Sequence, residues 1–327
     1  MKTRKLRVAI VAGGAGFIGS HLCEKLLKKQ WNVVCVDNLI TGRMENILHL
    51  QKNPRFRFIK MDISDQLILE PQCLPRADVI FNLASPASPK DYRALPIETL
   101  MAGAQGTKNL LEISMRNQAI FVHASTSEVY GNPTKHPQQE SYWGNVNPIG
   151  ERSVYDEAKR FAEALIMAYH RKFNLEVRIA RIFNTYGPRM KLDDGRVVPT
   201  LIYQALTGKP LTIFGSGRQT RSLCYIRDMI VALYRLIKCR DPYPINLGNP
   251  EEFTILQIAR LVKKLTKSNS PLIFQPLPPD DPNRRRPDIT RAQKLLHWRP
   301  VVNLERGLEL TIRWFRENEL KWNQWKN

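Results

Sequence analysis

Residues 8–20 read VAIVAGGAGFIGS, an apolar β-branched run followed by three glycines at GxxGxxG spacing. Gly13 and Gly16 allow a tight turn and a close approach of the backbone to a phosphate, and Gly19 allows a helix to pack closely against the strand. The free N–H groups and the dipole of that helix stabilise an anion at its first turn. The stretch therefore predicts a strand, a phosphate-binding turn and a helix, which together open a dinucleotide-binding fold.

The second apolar run, NVVCVD, ends at Asp37, eighteen residues after Gly19. An acidic residue at this distance accepts hydrogen bonds from the adenosine ribose and repels a 2′-phosphate, which favours NAD over NADP. Arg43 in the next loop keeps NADP open, because a guanidinium pairs well with a phosphate. The predicted cofactor site comprises Gly13, Gly16, Phe17, Ile18, Gly19, Asp37, Asn38, Asp62 and Leu83, together with Tyr155 and Lys159.

Strand-like and helix-like segments alternate over the first 185 residues. Short apolar runs such as ADVIFNLA and EVRIARIFN stand between longer helical patterns such as FAEALIMAYHRKF. This alternation predicts parallel βαβ units and an α/β fold, with a doubly wound parallel sheet covered by helices on both faces. We expect a Rossmann-type NAD-binding domain over residues 1–186, with a returning segment near 224–249 that contributes the strand in YPINLGN.

The composition of the sequence changes after Asn184, where Gly and Pro become frequent. Residues 187–223 and 250–327 are predicted to form a smaller substrate-binding lobe. Ligands of open α/β sheets bind at the carboxyl edge of the sheet, so we expect this lobe to fold over that edge.

The net charge of the chain is +20, which calls for a polyanionic partner or a solvated basic surface. Nucleic acid, an anionic membrane and a phosphorylated small substrate would all suit this charge. The Lys and Arg residues are spread along the chain, dense only in MKTRKLR and at 284–286, and no aromatic-interleaved basic motif is present. We therefore expect a solvated basic surface and no nucleic-acid partner.

The length of the hydrophobic segments and the spacing of the cysteines indicate the cellular compartment of the protein. No apolar stretch approaches the roughly 20 residues that a membrane helix needs, so no membrane partner is expected. The five cysteines are odd in number and lack the spacing of a metal site, which predicts reduced thiols and no metal. These features indicate a cytoplasmic protein.

Tyr155 and Lys159 form a YxxxK pair, a spacing that places both side chains on one face of a helix. A tyrosine, whose ordinary pKa is about 10, becomes a usable base near neutral pH only if a cation stabilises its phenolate, and Lys159 can supply that charge. Thr126 ends a predicted strand of the same sheet and can give the reacting oxygen a second hydrogen bond. The three residues together predict hydride transfer at a sugar or alcohol carbon.

Long strings of the sequence, from about residue 7 to about residue 315, resemble the extended short-chain dehydrogenase/reductase family and, within it, the UDP-glucuronate decarboxylases. The strings are NLASPASPKDY, STSEVYG, HPQQESYWGNVNPIGERSVYDEAKR, ARIFNTYGPRM, DGRVV, GSGRQTRS, NLGNPEEFT and DDPNRRRPDI. The resemblance implies NAD-dependent decarboxylation of UDP-glucuronate to UDP-xylose through a UDP-4-keto sugar, with the hydride returned to C4. It also implies that Thr126, Tyr155 and Lys159 are the catalytic triad.

The same resemblance implies that Glu128 and Arg285 work at the decarboxylating carbon. Dehydratases that resemble this family carry an Asp-Glu pair after the Thr, whereas Ser127 and Glu128 retain one carboxylate here. A second carboxylate would repel the substrate's own, so we expect Glu128 to act at C5 through a water or Ser127. A neighbour of Arg285 within the triplet at 284–286 is an alternative for the arginine that enters the site.

The resemblance places the UDP portion of the substrate in the second lobe, at Asn184, Arg196, Val198 and Arg221. The planar fork of Arg221 suits a pyrophosphate because it pairs with two oxygens at once. Helices around 96–116 and 153–172 are expected to pair with their copies in a homodimer, since FAEALIMAYH is apolar on more than one side. A UDP-sugar 4-epimerase and a non-catalytic nucleotide- or RNA-binding relative of the fold are the competing interpretations.

Overall fold

The computed structural model describes residues 7–276 and 284–318. Seven strands of this part of the chain form one parallel sheet, and six short strands pair outside it. The main-sheet strands are β1 (Val8–Ala12), β2 (Asn32–Asp37), β3 (Phe56–Lys60), β4 (Val79–Asn82), β5 (Ile120–Thr126), β6 (Val177–Ile182) and β11 (Ile245–Leu247). The short strands are β7 (Thr185–Tyr186), β8 (Leu211–Phe214), β9 (Thr220–Ser222), β10 (Cys224–Tyr225), β12 (Glu252–Thr254) and β13 (Leu272–Gln275).

The main sheet has the order β11-β6-β5-β4-β1-β2-β3, so the chain reverses direction across the sheet at β1. β1 pairs with β2 on one side and with β4 on the other. A parallel sheet of this order binds its ligands where the order reverses, outside the carboxyl ends of the strands. The glycine turn lies at that point because it follows β1 directly.

The helices are α1 (Phe17–Lys28), α2 (Pro89–Ala94), α3 (Pro96–Met101), α4 (Thr107–Asn117), α5 (Ser153–Phe173), α6 (Val197–Leu206), α7 (Ile226–Leu236), α8 (Ile255–Thr266), α9 (Thr290–Leu296) and α10 (Leu304–Glu317). A π-helical turn at Ala102–Gly106 joins α3 to α4. None of the helices in the described ranges is both long and apolar enough to cross a bilayer.

Alternate residues of β1 enter two separate hydrophobic cores, one on each face of the sheet. Ala9 and Val11 pack in the core that includes α1 and α7, whereas Ile10 and Ala12 pack in the core that includes α4 and α5. Side chains of a strand alternate between faces, so an unbroken apolar strand requires cover on both sides. The two cores confirm the predicted doubly wound α/β fold.

Several elements that follow β6 contribute residues to the ligand-binding edge. α6 begins at Val197, β9 pairs antiparallel with β12, and β8 pairs with β13. We call α6, β8, β9, β12, α8 and β13 the cap. β11 lies beside β6, so YPINLGN adds a strand to the main sheet after the chain has passed through α6, β8 and β9. Of the predicted second lobe, residues 277–283 and 319–327 lie outside the described residues, as do residues 1–6 of the basic stub.

Candidate active site

A cavity of about 740 Å³, here called the central cavity, opens between the carboxyl ends of the strands and the cap. Its walls come from the glycine turn, the end of β5, the first turns of α5 and α6, β9 and the segment that contains Arg285. These elements are far apart in the sequence and meet only because the sheet is parallel. The cavity therefore has a phosphate-binding turn at one end and the cap at the other.

The glycine turn is shaped as a cradle that side chains would fill. Gly13 has φ +74°, and a Cβ built there would lie 2.7 Å from the backbone of Leu83. A Cβ at Gly19 would lie 2.1 Å from the carbonyl oxygen of Gly13, so α1 could not pack where it does. Gly13, Gly16, Phe17, Ile18, Gly19 and Leu83 all line the central cavity. This shape and the helix that starts at Phe17 fit a dinucleotide pyrophosphate.

Asp37 braces the glycine turn from the end of β2. Its Oδ2 accepts a hydrogen bond from the Ala15 N–H at 2.9 Å, and its Oδ1 accepts one from the Leu39 N–H at 2.9 Å. Burial raises the pKa of Asp37, while these two bonds oppose the rise. Each carboxylate oxygen has a second lone pair, so the group retains acceptors for the hydroxyls of a ribose.

Asp37, Asn38 and Asp62 all lie outside the lining of the central cavity. The Asn38 Nδ2 group donates to Asp62 Oδ2 at 2.6 Å, and Asp62 also accepts bonds from Ser64. The structure therefore links these two predicted cofactor residues to each other after the ends of β2 and β3. Arg43, by contrast, lines the cavity.

Tyr155, Thr126 and Lys159 meet at the end of β5. Tyr155 is buried and lies beside the side chain of Thr126. Burial raises the pKa of Tyr155, and the neighbouring Thr126 hydroxyl opposes the rise. The Lys159 Nζ lies 5.8 Å from the centroid of the Tyr155 ring and donates to the carbonyl of Ala124 at 2.9 Å, so its ammonium group lies near the phenol. Burial lowers the pKa of Lys159 to about 8.

A buried ion-pair network holds α5, and with it Tyr155, against the strands. Glu163 of α5 accepts bonds from Arg181 of β6, at 2.7 Å from Nη2 and 2.9 Å from Nε. The hydroxyl of Ser125 on β5 donates to the same carboxylate at 2.5 Å. The carboxylate of Glu163 thus joins α5 to β5 and to β6, one helical turn after Lys159.

Glu128 is clamped between two arginines. It follows β5 in a 3₁₀ turn at Ser127–Tyr130, where it forms ion pairs with both Arg152 and Arg285. Burial alone would raise the pKa of Glu128, but the charges of Arg285 and Arg152 outweigh it and hold the pKa below its usual value. Glu128 is therefore a carboxylate at neutral pH, and the two guanidiniums leave the cluster with a net positive charge.

The structure shows which arginine of the triplet enters the cavity. Arg285 has a side chain only 4% exposed, pairs with Glu128 and donates to the Gly131 carbonyl at 2.9 Å. Arg286 is 42% exposed and lies 3.8 Å from Glu252. Arg285 is thus the member of the triplet that lines the central cavity.

Arg152 and Tyr92 are among the residues of the cavity wall that sequence reasoning missed. Arg152 precedes Tyr155 by three positions, and that helical spacing could have placed it on the side of Tyr155. The ring of Tyr92 on α2 stacks on Tyr155 with centroids 5.4 Å apart and planes at 9°. No sequence signal identifies Tyr92, because α2 and α5 meet only in the folded chain.

The four predicted substrate residues, Asn184, Arg196, Val198 and Arg221, all line the central cavity, as does Ser127. The Arg196 Nε donates to Asp194 Oδ2 at 2.8 Å, and the Arg221 Nη1 donates to the Thr220 carbonyl at 2.9 Å. Across residues 7–276 and 284–318, no group of three or more His, Cys, Asp or Glu side chains is arranged to hold a metal. The cavity therefore combines a dinucleotide cradle, a Tyr-Thr-Lys centre and cap arginines suited to a diphosphate.

Comparison with known proteins agrees with this geometry. The sequence model of the NAD dependent epimerase/dehydratase family matches residues 9–248. UDP-glucuronic acid decarboxylase 4 of Arabidopsis thaliana is 50% identical over 317 residues, which cover 97% of this chain and 70% of that protein.

Solved structures show the same fold at lower identity. The epimerase Mth375 of Methanothermobacter thermautotrophicus has a TM-score of 0.90 and 29% identity, with 98% of this chain and 95% of that chain covered. UDP-glucuronic acid 4-epimerase of Bacillus cereus, in complex with UDP-glucuronic acid and NAD, has a TM-score of 0.84 and 32% identity, with 95% and 99% covered. The chain therefore belongs to the NAD dependent epimerase/dehydratase family.

Proposed function

We propose that the chain decarboxylates UDP-glucuronate to UDP-xylose with NAD as cofactor, through a UDP-4-keto sugar. The observation that carries the proposal is the single carboxylate of Glu128, held between Arg152 and Arg285 beside the Tyr155–Thr126 pair. The 50% identity to a UDP-glucuronic acid decarboxylase over nearly the whole chain supports it. The solved 4-epimerases share the fold at about 30% identity, which makes epimerisation the alternative to be tested.

The glycine cradle and Asp37 would hold the pyrophosphate and the adenosine ribose of NAD, respectively. When bound, NAD accepts a hydride from C4 of the sugar and returns it to the same carbon. The positive charge of Lys159 favours the phenolate form of Tyr155, which takes the proton of the C4 hydroxyl and becomes a neutral phenol. Thr126 orients the phenol and the sugar oxygen through its hydroxyl.

Decarboxylation follows from the ketone at C4, because the C6 carboxylate is then β to a carbonyl group. The C5–C6 bond breaks, carbon dioxide leaves, and the electron pair delocalises from C5 onto O4. Tyr155 and Thr126 would stabilise this developing oxyanion by donating hydrogen bonds to O4. C5 then takes up one proton before the ketone is reduced.

The Glu128 cluster suits a substrate that carries a carboxylate. One carboxylate and two guanidiniums leave one positive charge in excess, which attracts the C6 carboxylate of UDP-glucuronate. A second ionised carboxylate at Ser127 would cancel that excess charge. Glu128 itself orients a water or the Ser127 hydroxyl at C5.

The cap would bind the UDP portion. Arg221 pairs with the diphosphate through its planar fork, and Asn184, Arg196 and Val198 line the remainder of the UDP pocket. We propose accordingly that residues 1–186 with 224–249 form the NAD-binding domain, and that 187–223 with 250–327 form the UDP-sugar lobe.

We also propose a cytoplasmic homodimer. Ile97 and Met101 of α3 and Phe161 of α5 are 65%, 43% and 51% exposed, and α3 packs beside α5. Large apolar side chains in one exposed area mark a surface that a partner covers, and helices of two copies would do so in a four-helix arrangement. The buried thiols Cys23, Cys35, Cys224 and Cys239 are free, which suits a reducing compartment.

Turnover of UDP-glucuronate tests the function. The purified chain with NAD is expected to release carbon dioxide and form a UDP-pentose, both followed by mass spectrometry. A six-carbon UDP-sugar as the sole product would replace the proposal with 4-epimerisation. Binding of the nucleotide sugar without turnover would make the chain a non-catalytic relative.

A further inference from the structure

Asp156 is a buried carboxyl group beside the proposed centre that the mechanism above does not use. It follows Tyr155 on α5 and is 5% exposed. Within the described residues its Oδ1 has no hydrogen-bond partner, and neither has the hydroxyl of Tyr92, which is 2% exposed. Native proteins rarely leave buried polar atoms unpaired, so two of them beside the Glu128 cluster call for a functional explanation.

Charged and titratable groups face Asp156 from four parts of the fold. Glu128 comes from the turn after β5, Arg152 from the start of α5, Arg285 from the 284–289 segment and Tyr92 from α2, with Glu157 next on α5. Both guanidiniums donate to Glu128. The two arginines thus stabilise the negative charge of Glu128 directly, and neither donates a hydrogen bond to Asp156 in the described residues.

The two carboxyl groups hold protons differently. Burial, and then the negative charge of Glu128, raise the pKa of Asp156 to about 7, whereas the arginines keep the pKa of Glu128 below its usual value. Two carboxyl groups that share a site ionise one after the other. Around neutral pH the proton of this pair therefore belongs to Asp156.

The proposed reaction consumes one proton in each turnover, and it needs a source. The C5–C6 electron pair that carbon dioxide leaves behind must form a new C5–H bond. Tyr155 holds the proton that came from O4 and must return it to O4 when the ketone is reduced. Glu128 is ionised and has no proton to give. A third group has to supply the proton.

We propose that Asp156 is the proton reservoir of this step, a neutral carboxyl group that passes its proton to C5 through Glu128 and the water held by Glu128. Asp156 is absent from the lining of the central cavity, so it acts through Glu128 as a positioning residue and does not touch the substrate. The donated proton forms the C5–H bond, Asp156 becomes a carboxylate, and solvent reprotonates it before the next turnover. This inference rests on the proposed decarboxylation.

The test compares Asp156→Asn with Glu157→Gln. Asparagine keeps the size and neutrality of a protonated aspartate, so a purely structural role for Asp156 predicts no loss of rate. The side chain of Glu157 is 38% exposed and lies 3.5 Å from Arg160, which makes Glu157→Gln a matched loss of one carboxylate on the same helix turn. Both variants are measured with UDP-glucuronate and NAD between about pH 5.5 and 9, a window that brackets the raised pKa of Asp156 of about 7.

We expect Asp156→Asn to slow the protonation of C5 without slowing the oxidation at C4. Asp156→Asn lowers kcat by roughly 10²-fold, the scale of general acid–base catalysis, with little change in KM and an unchanged first formation of reduced nicotinamide. The wild-type kcat falls as pH rises through about 7, because the proton of Asp156 is lost there, and this fall disappears in Asp156→Asn. Glu157→Gln keeps the rate of the wild type and retains the fall in kcat, shifted slightly to lower pH because the charge of Glu157 helps to raise the pKa of Asp156.

Other outcomes separate the inference from the proposed function. If the wild type makes UDP-xylose and Asp156→Asn matches Glu157→Gln in kcat and pH profile, Asp156 is not the reservoir. If the wild type makes no pentose, the proposed function has failed instead. Should Asp156→Asn fail to fold, difference infrared spectroscopy of the wild type decides: a protonated-carboxyl band that disappears as pH rises through about 7 supports the reservoir, and absence of that band overturns it.

Discussion

The guanidinium of Arg285 forms an ion pair with the carboxylate of Glu128 although 157 positions separate them in the sequence. Glu128 belongs to the end of the main sheet, whereas Arg285 follows the last strand of the cap. Arg285 also donates to the carbonyl of Gly131 at 2.9 Å, so one side chain fastens the later segment to the turn after β5. Both side chains are largely buried, at 4% and 15% exposure.

Replacement of Arg285 by Met is expected to destabilise the protein as well as to abolish turnover. Removal of one partner of a buried ion pair leaves the other charge poorly compensated and costs about 3–5 kcal/mol. Here Arg152 still pairs with Glu128, so we expect the lower end of that range in the free energy of unfolding from urea titration. Arg286→Met is the control, because Arg286 is 42% exposed and its loss should cost less than about 1 kcal/mol. Equal effects of the two variants would contradict the buried clamp.

Tyr155→Phe is expected to lower kcat by roughly 10²- to 10⁴-fold, because it removes the base without removing apolar bulk. Binding of UDP, measured by calorimetry, should remain near the wild-type value. Tyr92→Phe serves as the matched control: it keeps the stacked ring and loses a hydroxyl that has no partner in the described structure. A loss of less than about tenfold in Tyr155→Phe would remove Tyr155 from its role as base.

Glu128→Gln should separate oxidation from the later steps. The variant keeps Tyr155, Thr126 and Lys159, so C4 oxidation should proceed and the absorbance of enzyme-bound reduced nicotinamide should build up on mixing with UDP-glucuronate. Steady-state release of UDP-xylose should fall, because the water at C5 loses the carboxylate that orients it. Stopped-flow absorbance is the measurement, and an unaltered steady-state rate would exclude Glu128 from the mechanism.

Gly19→Ala is expected to weaken NAD binding by roughly tenfold or more. The new Cβ would lie 2.1 Å from the carbonyl oxygen of Gly13, and overpacking of this kind costs about 1–3 kcal/mol. Gly208→Ala provides the control, because Gly208 has φ +71° and no atom lies within 4 Å of its added Cβ. That control should lower stability slightly through backbone strain and leave NAD binding unchanged in a fluorescence titration.

Sequence reasoning was most successful where the determining contacts are local. The GxxGxxG turn, Asp37 at the end of β2 and the YxxxK pair depend on spacing within one strand, turn or helix, and the structure has the predicted sheet. The sequence could not show which of the three arginines at 284–286 enters the cavity. These residues lie in an irregular segment, which lacks the helical or strand periodicity that would assign each side chain to a face. The burial of Asp156 and the stacking of Tyr92 depend on α2, α5 and the 284–289 segment, which meet only after the chain has folded.

The proposed reaction predicts different fates for the hydrogens at C4 and C5 of the sugar. The hydrogen that leaves C4 returns to the same carbon and never exchanges with solvent, since Tyr155 moves only the proton on O4. The hydrogen that arrives at C5 comes from water through Glu128 and its neighbours. In heavy water with catalytic NAD, we therefore expect UDP-xylose with one deuterium at C5 and none at C4, as read by NMR and mass spectrometry.

Each other labelling pattern points to a different error. A 4-epimerase would give a six-carbon product without deuterium, because its hydride returns to C4 and C5 is not touched. Deuterium at C4 would mean that the hydride is exchanged during the cycle, and the assignment of Tyr155, Thr126 and Lys159 to internal hydride recycling would be wrong. Pentose without deuterium at C5 would mean that the new C5 hydrogen came from a group shielded from solvent exchange. Buried Asp156 would show this pattern only in a first turnover, since solvent must reprotonate it in every later one. Comparison of single-turnover with multiple-turnover labelling, after dilution of the protonated enzyme into heavy water, would therefore report on the proton source itself.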